Sequence, residues 1–274
     1  MTGARSSVAI ELQEISCRFG SQEVLRNLAI KIHRGQSVAI IGESGCGKSV
    51  TMKVMMQLLQ PTAGRVLWFG RDVNQLSKRE WQKTRLKFGY LFQGAALFDS
   101  LDVFENVAFG LRENSGISEE NIQQIVFQRL DDVGLSSEVA VKRPSELSGG
   151  MQKRVGLARA LALDPDVMFY DEPTTGLDPV TSRRIDDLIA SVTHSHNVSS
   201  VIVTHDMRTV ERVADQVIML APCRQLGPNE SQILFEGTVD DLFQTTDPQI
   251  SEFIHGGALE SSGESRENST HHAA

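Results

Sequence analysis

Eight residues constrain this chain more than any others: Gly42-Glu43-Ser44-Gly45-Cys46-Gly47-Lys48-Ser49, spaced G-x-x-x-x-G-K-S. The apolar run Val38-Ala39-Ile40-Ile41 precedes them and reads as a buried strand, and the segment from Ser49 onward (SVTMKVMMQLLQ) is helix-forming. Glycines at these places let backbone N–H groups turn inward on phosphate oxygens, and the helix that follows adds its positive N-terminal end. Lys48 then reaches the β- and γ-phosphates, while the Ser49 hydroxyl can ligate Mg²⁺. A plain glycine turn between strand and helix would not need Lys-Ser in its last two places. The segment predicts a triphosphate-binding loop, and with it a nucleotide such as ATP.

Composition narrows the field further. The 274 residues suffice for one large or two small domains with a buried core. A net charge of −8 argues against a broad nucleic-acid footprint, and the basic cluster Lys83–Lys87 reads as a solvated face. No stretch approaches the ~18 apolar residues of a membrane span, so a membrane role would run through a partner. The opening residues lack the apolar core of a signal peptide. Cys17, Cys46 and Cys223 are odd in number and widely spaced, which suits a reducing compartment and matches no zinc pattern.

Along the chain, Val8–Ile15 and Leu25–Ile32 alternate around a turn at Gly20-Ser21-Gln22 and read as antiparallel strands. Gly64–Gly70 is a further strand of the same small sheet. Ser37–Ile41, Val167–Tyr170, Val201–Thr204 and Gln216–Leu220 alternate with helices, the pattern of a parallel sheet covered by helices on both faces. Residues about 95–162 interrupt that alternation with helical text, including a helix that stops at Gly134. The expected fold class is therefore α/β: a P-loop NTPase (RecA-like) core with an N-terminal antiparallel β subdomain and an inserted helical subdomain. The expected organisation is an ATPase domain over 8–244 with the helical block at about 95–162 inserted, a C-terminal extension over 245–256, and a disordered polar tail over 257–274.

Two further elements turn the phosphate loop into a specific machine. The apolar strand Val167–Tyr170 delivers Asp171 and Glu172 at its end. Beside a phosphate loop, Asp171 can orient Mg²⁺, and Glu172 can align or deprotonate a water attacking the γ-phosphate. The second element, Leu147-Ser148-Gly149-Gly150-Met151, opens a helix with two glycines and leaves its first N–H groups uncovered for an anion. Here the chain resembles the ATP-binding-cassette (ABC) ATPases, whose signature is LSGGQ, from about Val8 to Gly237 and with the motifs in family order. By that resemblance Phe19 is the aromatic that stacks on adenine, and Gln93 is the glutamine that senses Mg²⁺ and the membrane partner. Asp178, in Gly176-Leu177-Asp178, matches the D-loop, and His205 the switch histidine near the γ-phosphate. Taken singly, these four have ordinary readings as strand packing, a surface amide, a helix cap and a capping histidine.

The resemblance implies catalysis by Glu172 and His205. It implies nucleotide contacts from Phe19, Gly42, Glu43, Ser44, Gly45, Cys46, Gly47, Lys48, Ser49, Val50, Gln93, Ser148, Gly149, Gly150 and Asp178. Mg²⁺ would be met by Ser49, Gln93 and Asp171. Two positions depart from the pattern: Val50 lacks the usual hydroxyl, and Met151 replaces the signature's terminal Gln. One phosphate loop and one signature per chain imply a head-to-tail homodimer, each ATP lying between one chain's loop and the other's Ser148-Gly149-Gly150. Cys46, inside the loop, is expected to react with thiol reagents unless ATP covers it.

The text from Gly94 to Phe109, Pro144-Ser145-Glu146 before the signature, and Phe253-Ile254-His255-Gly256 are similar to the ATPase subunits of Mla-type lipid transporters. That similarity implies an integral-membrane permease, an MCE-type lipid-binding partner, and a place on the cytoplasmic face of the inner membrane. An importer ATPase for amino acids or another small solute is the alternative. Non-transport cassette proteins fit less well, because Lys48 and Ser148 lie only about 100 residues apart with no heptad run between them.

Overall fold

The computed structural model describes residues 7–254 apart from 115, 196–197 and 228–229, so the tail expected over 257–274 lies outside the described residues. A long hairpin opens the chain: β1 (Val8–Phe19) and β2 (Gln22–His33) pair antiparallel from Val8↔His33 to Phe19↔Gln22. The turn is Gly20-Ser21, with Gly20 at φ +59°. Six buried residues make β3 (Ser37–Gly42), and the phosphate loop leads from it into α1 (Lys48–Met55). β4 (Ala63–Trp68) and the short β5 (Arg71–Asp72) complete an antiparallel sheet in the order β2-β1-β4-β5. α2 (Lys78–Arg85) is closed by a capping box between Ser77 and Glu80 and ends in the basic cluster, with no buried residue.

β6 (Phe88–Leu91) follows, a strand the sequence reading passed over. The block after it begins irregular: helix starts only at α3 (Val103–Asn114), then α4 (Glu119–Asp132) and α5 (Gly149–Leu161). Gly134, at φ +68°, ends the α4 segment as expected. β7 (Val167–Asp171), α6 (Pro179–Ser195), β8 (Ser199–Val203), α7 (Met207–Val213), β9 (Gln216–Leu220), β10 (Ile233–Thr238) and α8 (Val239–Phe243) complete the core. The main sheet runs β10-β9-β3-β8-β7-β6, parallel except for β10 against β9.

Strand periodicity divides the core. Val38, Ile40, Val167, Phe169, Val201, Val203, Ile218 and Leu220 pack with Ile10, Leu12, Ile30, Trp68 and the α1 residues Met52, Val54 and Met55. Alternate residues Met168, Tyr170 and Ile202 meet α3, α4, α5 and α6. Ala39, Ile41, Val217 and Met219 meet Val210 of α7, Leu242 of α8, and Ile250 and Ile254 of a final helical stretch over 248–254. Helices therefore lie on both faces as expected, with one addition that the sequence reading did not make. On one face the antiparallel sheet shares the cover with α1, because β1, β2 and β4 present an apolar side of their own. Trp68 fastens the two, donating from its indole N–H to the Met55 carbonyl at 2.7 Å.

Candidate nucleotide site

Parallel strands carry their carboxyl ends to a common edge, where open α/β sheets place their ligands. Four motif segments arrive there. Gly42 ends β3, Asp171 ends β7, His205 lies two residues beyond β8, and Gln93 lies two residues beyond β6. β8 separates β3 from β7, and β6 flanks β7.

The phosphate loop is built by close approach. Gly42 has φ +138°, and a Cβ there would sit 2.3 Å from the Leu220 carbonyl oxygen and 2.9 Å from Cys46 Sγ. No other residue fits without moving β9. Gly47 is the left-handed N-cap of α1, whose first N–H groups have no side-chain cap. The Lys48 ammonium folds over its own loop, 2.7 Å from the Gly42 carbonyl and 3.0 Å from that of Glu43. Uncapped helix N–H groups, a mobile-length cation and inward-turned glycines fit a phosphate chain. Val50 packs on the apolar core.

Cys46 departs from expectation. Its side chain is fully buried beneath the loop, and burial raises its thiol pKa above the ordinary value despite the neighbouring Lys48. The reactive thiol expected from sequence is thus a core residue, and only its backbone is available to a ligand.

Carboxylates converge on the loop from β7. Ser49 Oγ donates to Asp171 Oδ1 at 3.3 Å, and Tyr90 of β6 donates to Asp171 Oδ2 at 2.9 Å. Burial and the Asp171 charge together push the Tyr90 phenol well above its ordinary range. The Ser49–Asp171 oxygen pair is a hard-donor set suited to Mg²⁺. Glu172 follows with φ +47°, its N–H held by the Val203 carbonyl at 2.9 Å. His205 Nδ1 lies 2.9 Å from its carboxylate, and Thr175 Oγ1 donates to it at 3.1 Å.

Two participants went unread in the sequence. Tyr90 sits in the overlooked strand, whose run Phe88-Gly89-Tyr90-Leu91 carried the signal. Lys153 is 5% exposed, and its ammonium donates to the Gln93 carbonyl and, at 3.4 Å, to the Glu172 carbonyl. Burial lowers its pKa while Asp171 and Glu172 pull it back up. Its spacing with Gly156, Leu157 and Leu161 places it on the buried side of α5.

The remaining motif residues stand apart. Ser148 is the N-cap of α5, its Oγ accepting from the Met151 N–H at 3.3 Å. Gly150 is set by packing, since a Cβ would meet Thr181 Cγ2 of α6 at 2.5 Å, whereas one on Gly149 would lie 3.5 Å from Leu177 Cδ2. Met151 packs on the apolar core of the helical block. Asp178 caps α6, accepting from the Val180 and Thr181 N–H groups at 3.0 Å, and its pKa is lowered chiefly by the Thr181 hydroxyl. Phe19 is 49% exposed at the tip of the β1–β2 hairpin. The Gln93 side chain is exposed at the sheet edge.

Comparison with known proteins points to one family. The family model described as "ABC transporter" matches residues 25–175. The "Intermembrane phospholipid transport system ATP-binding protein MlaF" of Haemophilus influenzae is 38% identical over 247 residues, covering 90% of this chain and 90% of that protein. The "Probable ribonucleotide transport ATP-binding protein mkl" of Mycobacterium leprae is 36% identical over 260 residues, covering 95% of this chain and 72% of that protein. The dimeric post-hydrolysis state of the ATP-binding cassette MJ0796, solved with ADP and Pi, superposes with a TM-score of 0.73 at 30% identity, covering 84% of this chain and 98% of that one. With its triphosphate loop and paired carboxylates at one sheet edge, the chain belongs to the ABC transporter family, as an ATP-binding and ATP-hydrolysing subunit.

Proposed function

We propose that this subunit powers a membrane permease that moves phospholipid or a related lipid, closing as a homodimer on ATP. The observation that carries the ATPase part is the convergence of Ser49 on Asp171 and of His205 on Glu172 at the end of β7. The α1 N–H groups and Lys48 bind the phosphates, and Phe19 offers its exposed ring to the base. Ser49 and Asp171, with Gln93 at the neighbouring strand end, would hold Mg²⁺, which would offset phosphate charge when bound. Glu172, oriented by His205 and Thr175, positions and accepts a proton from the attacking water.

Pairing is supported by where the signature lies. Ser148–Gly150 opens α5 against Leu177 and Thr181 rather than joining the hydrogen-bonded group around Ser49 and Asp171. A second copy, turned head to tail, brings its own Ser148-Gly149-Gly150 to the phosphates, and Asp178 then lies at the junction. Each nucleotide links two chains, so ATP favours the closed state and hydrolysis releases it. We assign residues 8–244 to the ATPase domain with the helical block at about 95–162 inserted, and 245–256 to a C-terminal extension.

The lipid assignment draws support from the name of the Haemophilus relative. With it we propose an MCE-type lipid-binding partner and a place on the cytoplasmic face of the inner membrane, as the resemblance to Mla-type ATPases implies. The Mycobacterium relative is named for ribonucleotide transport, which favours a small-solute permease as the second reading. No helix among the described residues is long and apolar enough to cross a membrane, so the permease supplies the span. Two experiments test this. Light scattering of the ATP-loaded Glu172→Gln protein is expected to report a dimer, and an ATP-bound monomer would overturn the pairing. Copurification from solubilised membranes is expected to yield a permease with bound phospholipid. Recovery of a ribonucleotide or amino-acid permease would replace the lipid assignment.

A further inference from the structure

We infer that Gln232 is a positioning residue for the phosphate loop, holding it from the opposite end of the chain. The inference rests on reading Gly42–Ser49 as the nucleotide cradle. β9 and β10 are antiparallel neighbours, yet residues 221–232 separate them, a longer link than the roughly 2–5 residues hairpins usually use. The connection returns to the cradle at Glu43 and to the adjoining β2 at Val24 and Arg26. Gln225 Nε2 donates to Glu43 Oε2 at 3.1 Å, Cys223 Sγ to the Val24 carbonyl at 3.3 Å, and Arg26 Nη1 reaches back to the Gly227 carbonyl at 2.9 Å.

Gln232 is the centre of this strap. It is 1% exposed, and its amide nitrogen lies 2.9 Å from the Val24 carbonyl, 2.9 Å from the Cys46 carbonyl and 3.2 Å from the Ala221 carbonyl. Its Oε1 accepts the Arg26 N–H at 2.8 Å, which fixes which way the amide faces. One side chain thus joins β2, the phosphate loop and the exit of β9.

Backbone direction gives that contact its meaning. A loop that turns N–H groups inward on an anion turns carbonyls outward, and a buried carbonyl needs a donor. The Gly47 carbonyl takes the Thr51 N–H at 2.8 Å and its hydroxyl at 3.0 Å. The Gly42 and Glu43 carbonyls take Lys48 Nζ. The Cys46 carbonyl takes Gln232. Lys48 must release its carbonyls to reach a phosphate, whereas Gln232 need not move. Like the Thr51 bonds to the Gly47 carbonyl, its hold persists when nucleotide arrives, and it keeps the peptide between Cys46 and Gly47 presenting its N–H inward.

Gln232→Met keeps the shape and removes the donors. The ATP dissociation constant is expected to rise roughly tenfold, the scale of leaving a buried acceptor unpaired, with KM moving more than kcat. Cys46 serves as a second reporter. In nucleotide-free protein its alkylation by iodoacetamide, followed by peptide mass spectrometry, should quicken roughly tenfold while Cys17 keeps the wild-type rate. Unchanged ATP affinity, or an equal quickening at all three cysteines, would overturn the proposal. If Gln232→Met does not fold, Gln232→Asn carries the test. A weakened ATP affinity at an unchanged melting temperature supports the clasp, and wild-type affinity removes it. Lys48→Ala separates the two readings: normal ATP affinity there would sink the cradle itself. Loss there together with wild-type behaviour in Gln232→Met would sink only the clasp.

Discussion

His205 Nδ1 stands 2.9 Å from the Glu172 carboxylate, joining the end of β8 to the end of β7. The Glu172 side chain is 15% exposed and His205 65%, so the exposed imidazole covers and orients a sheltered carboxylate, the base in the proposed mechanism. Glu172→Gln keeps the shape but cannot take a proton. Its ATP turnover should fall by about 10²–10⁴, with ATP affinity within a few-fold of wild type. His205→Ala should fall less, because Thr175 still holds the carboxylate. Single-turnover hydrolysis checks both, and wild-type turnover in Glu172→Gln would remove that residue from its role.

Tyr90→Phe deletes the hydroxyl that donates to Asp171 Oδ2. About 1 kcal/mol of stability should be lost, the net worth of one such bond. The Mg²⁺ concentration for half-maximal turnover should shift by a few-fold, because Asp171 loses a partner that fixes its orientation. Magnesium titration of turnover measures this. A shift in stability alone would make Tyr90 a packing residue.

The two signature glycines should separate by substitution. Gly150→Ala forces a methyl to 2.5 Å from Thr181 Cγ2 and should cost about 1–3 kcal/mol of stability without nucleotide. Gly149→Ala finds its nearest neighbour at 3.5 Å and should fold normally. Any defect it has should then appear only in ATP-dependent pairing. Melting curves beside light scattering distinguish the two, and normal pairing in Gly149→Ala would count against a phosphate-facing role there.

Asp186 of α6 predicts a pH effect. The residue is buried, its Oδ1 has no hydrogen-bond partner, and burial pushes its pKa up to about 6. A carboxyl raised in the folded state favours folding when protonated. That contribution is complete below the ordinary aspartate pKa and is lost as pH rises through about 6. Asp186→Asn should therefore stabilise the protein by about 1–2 kcal/mol at pH 7 and by nothing near pH 4. Melting temperatures across that range test it, and a constant difference would refute the titration.

How far the site was legible depends on how local its signals are. The phosphate loop, the strand before it and the carboxylate pair were readable because each lies within one run of the chain. The strand Gln216–Leu220 and the first part of β1, Val8–Ile15, declared themselves by alternation and apolar content. β6 did not, because Phe88–Leu91 is a short apolar run with no Gly, Pro or Asn just before it to mark its start. Lys153 was hidden by its type: a lysine on a helix reads as solvated until a neighbouring element buries it. Cys46 was misread because a loop position says nothing of which way its side chain turns.

Local chemistry in the sequence thus determined which groups are on hand for the proposed roles: the glycines, Lys48 and Ser49 for phosphate, Asp171 and Glu172 for metal and water, and Ser148–Gly150 for a second anion contact. Tertiary structure alone decided their company. Parallel pairing of β3, β8, β7 and β6 brought Ser49 to Asp171 and His205 to Glu172, and the long link after β9 carried Gln232 beneath the loop. Such pairings join residues 33 to 186 positions apart, and no short-range pattern can encode them, because the chain between is free until the sheet closes.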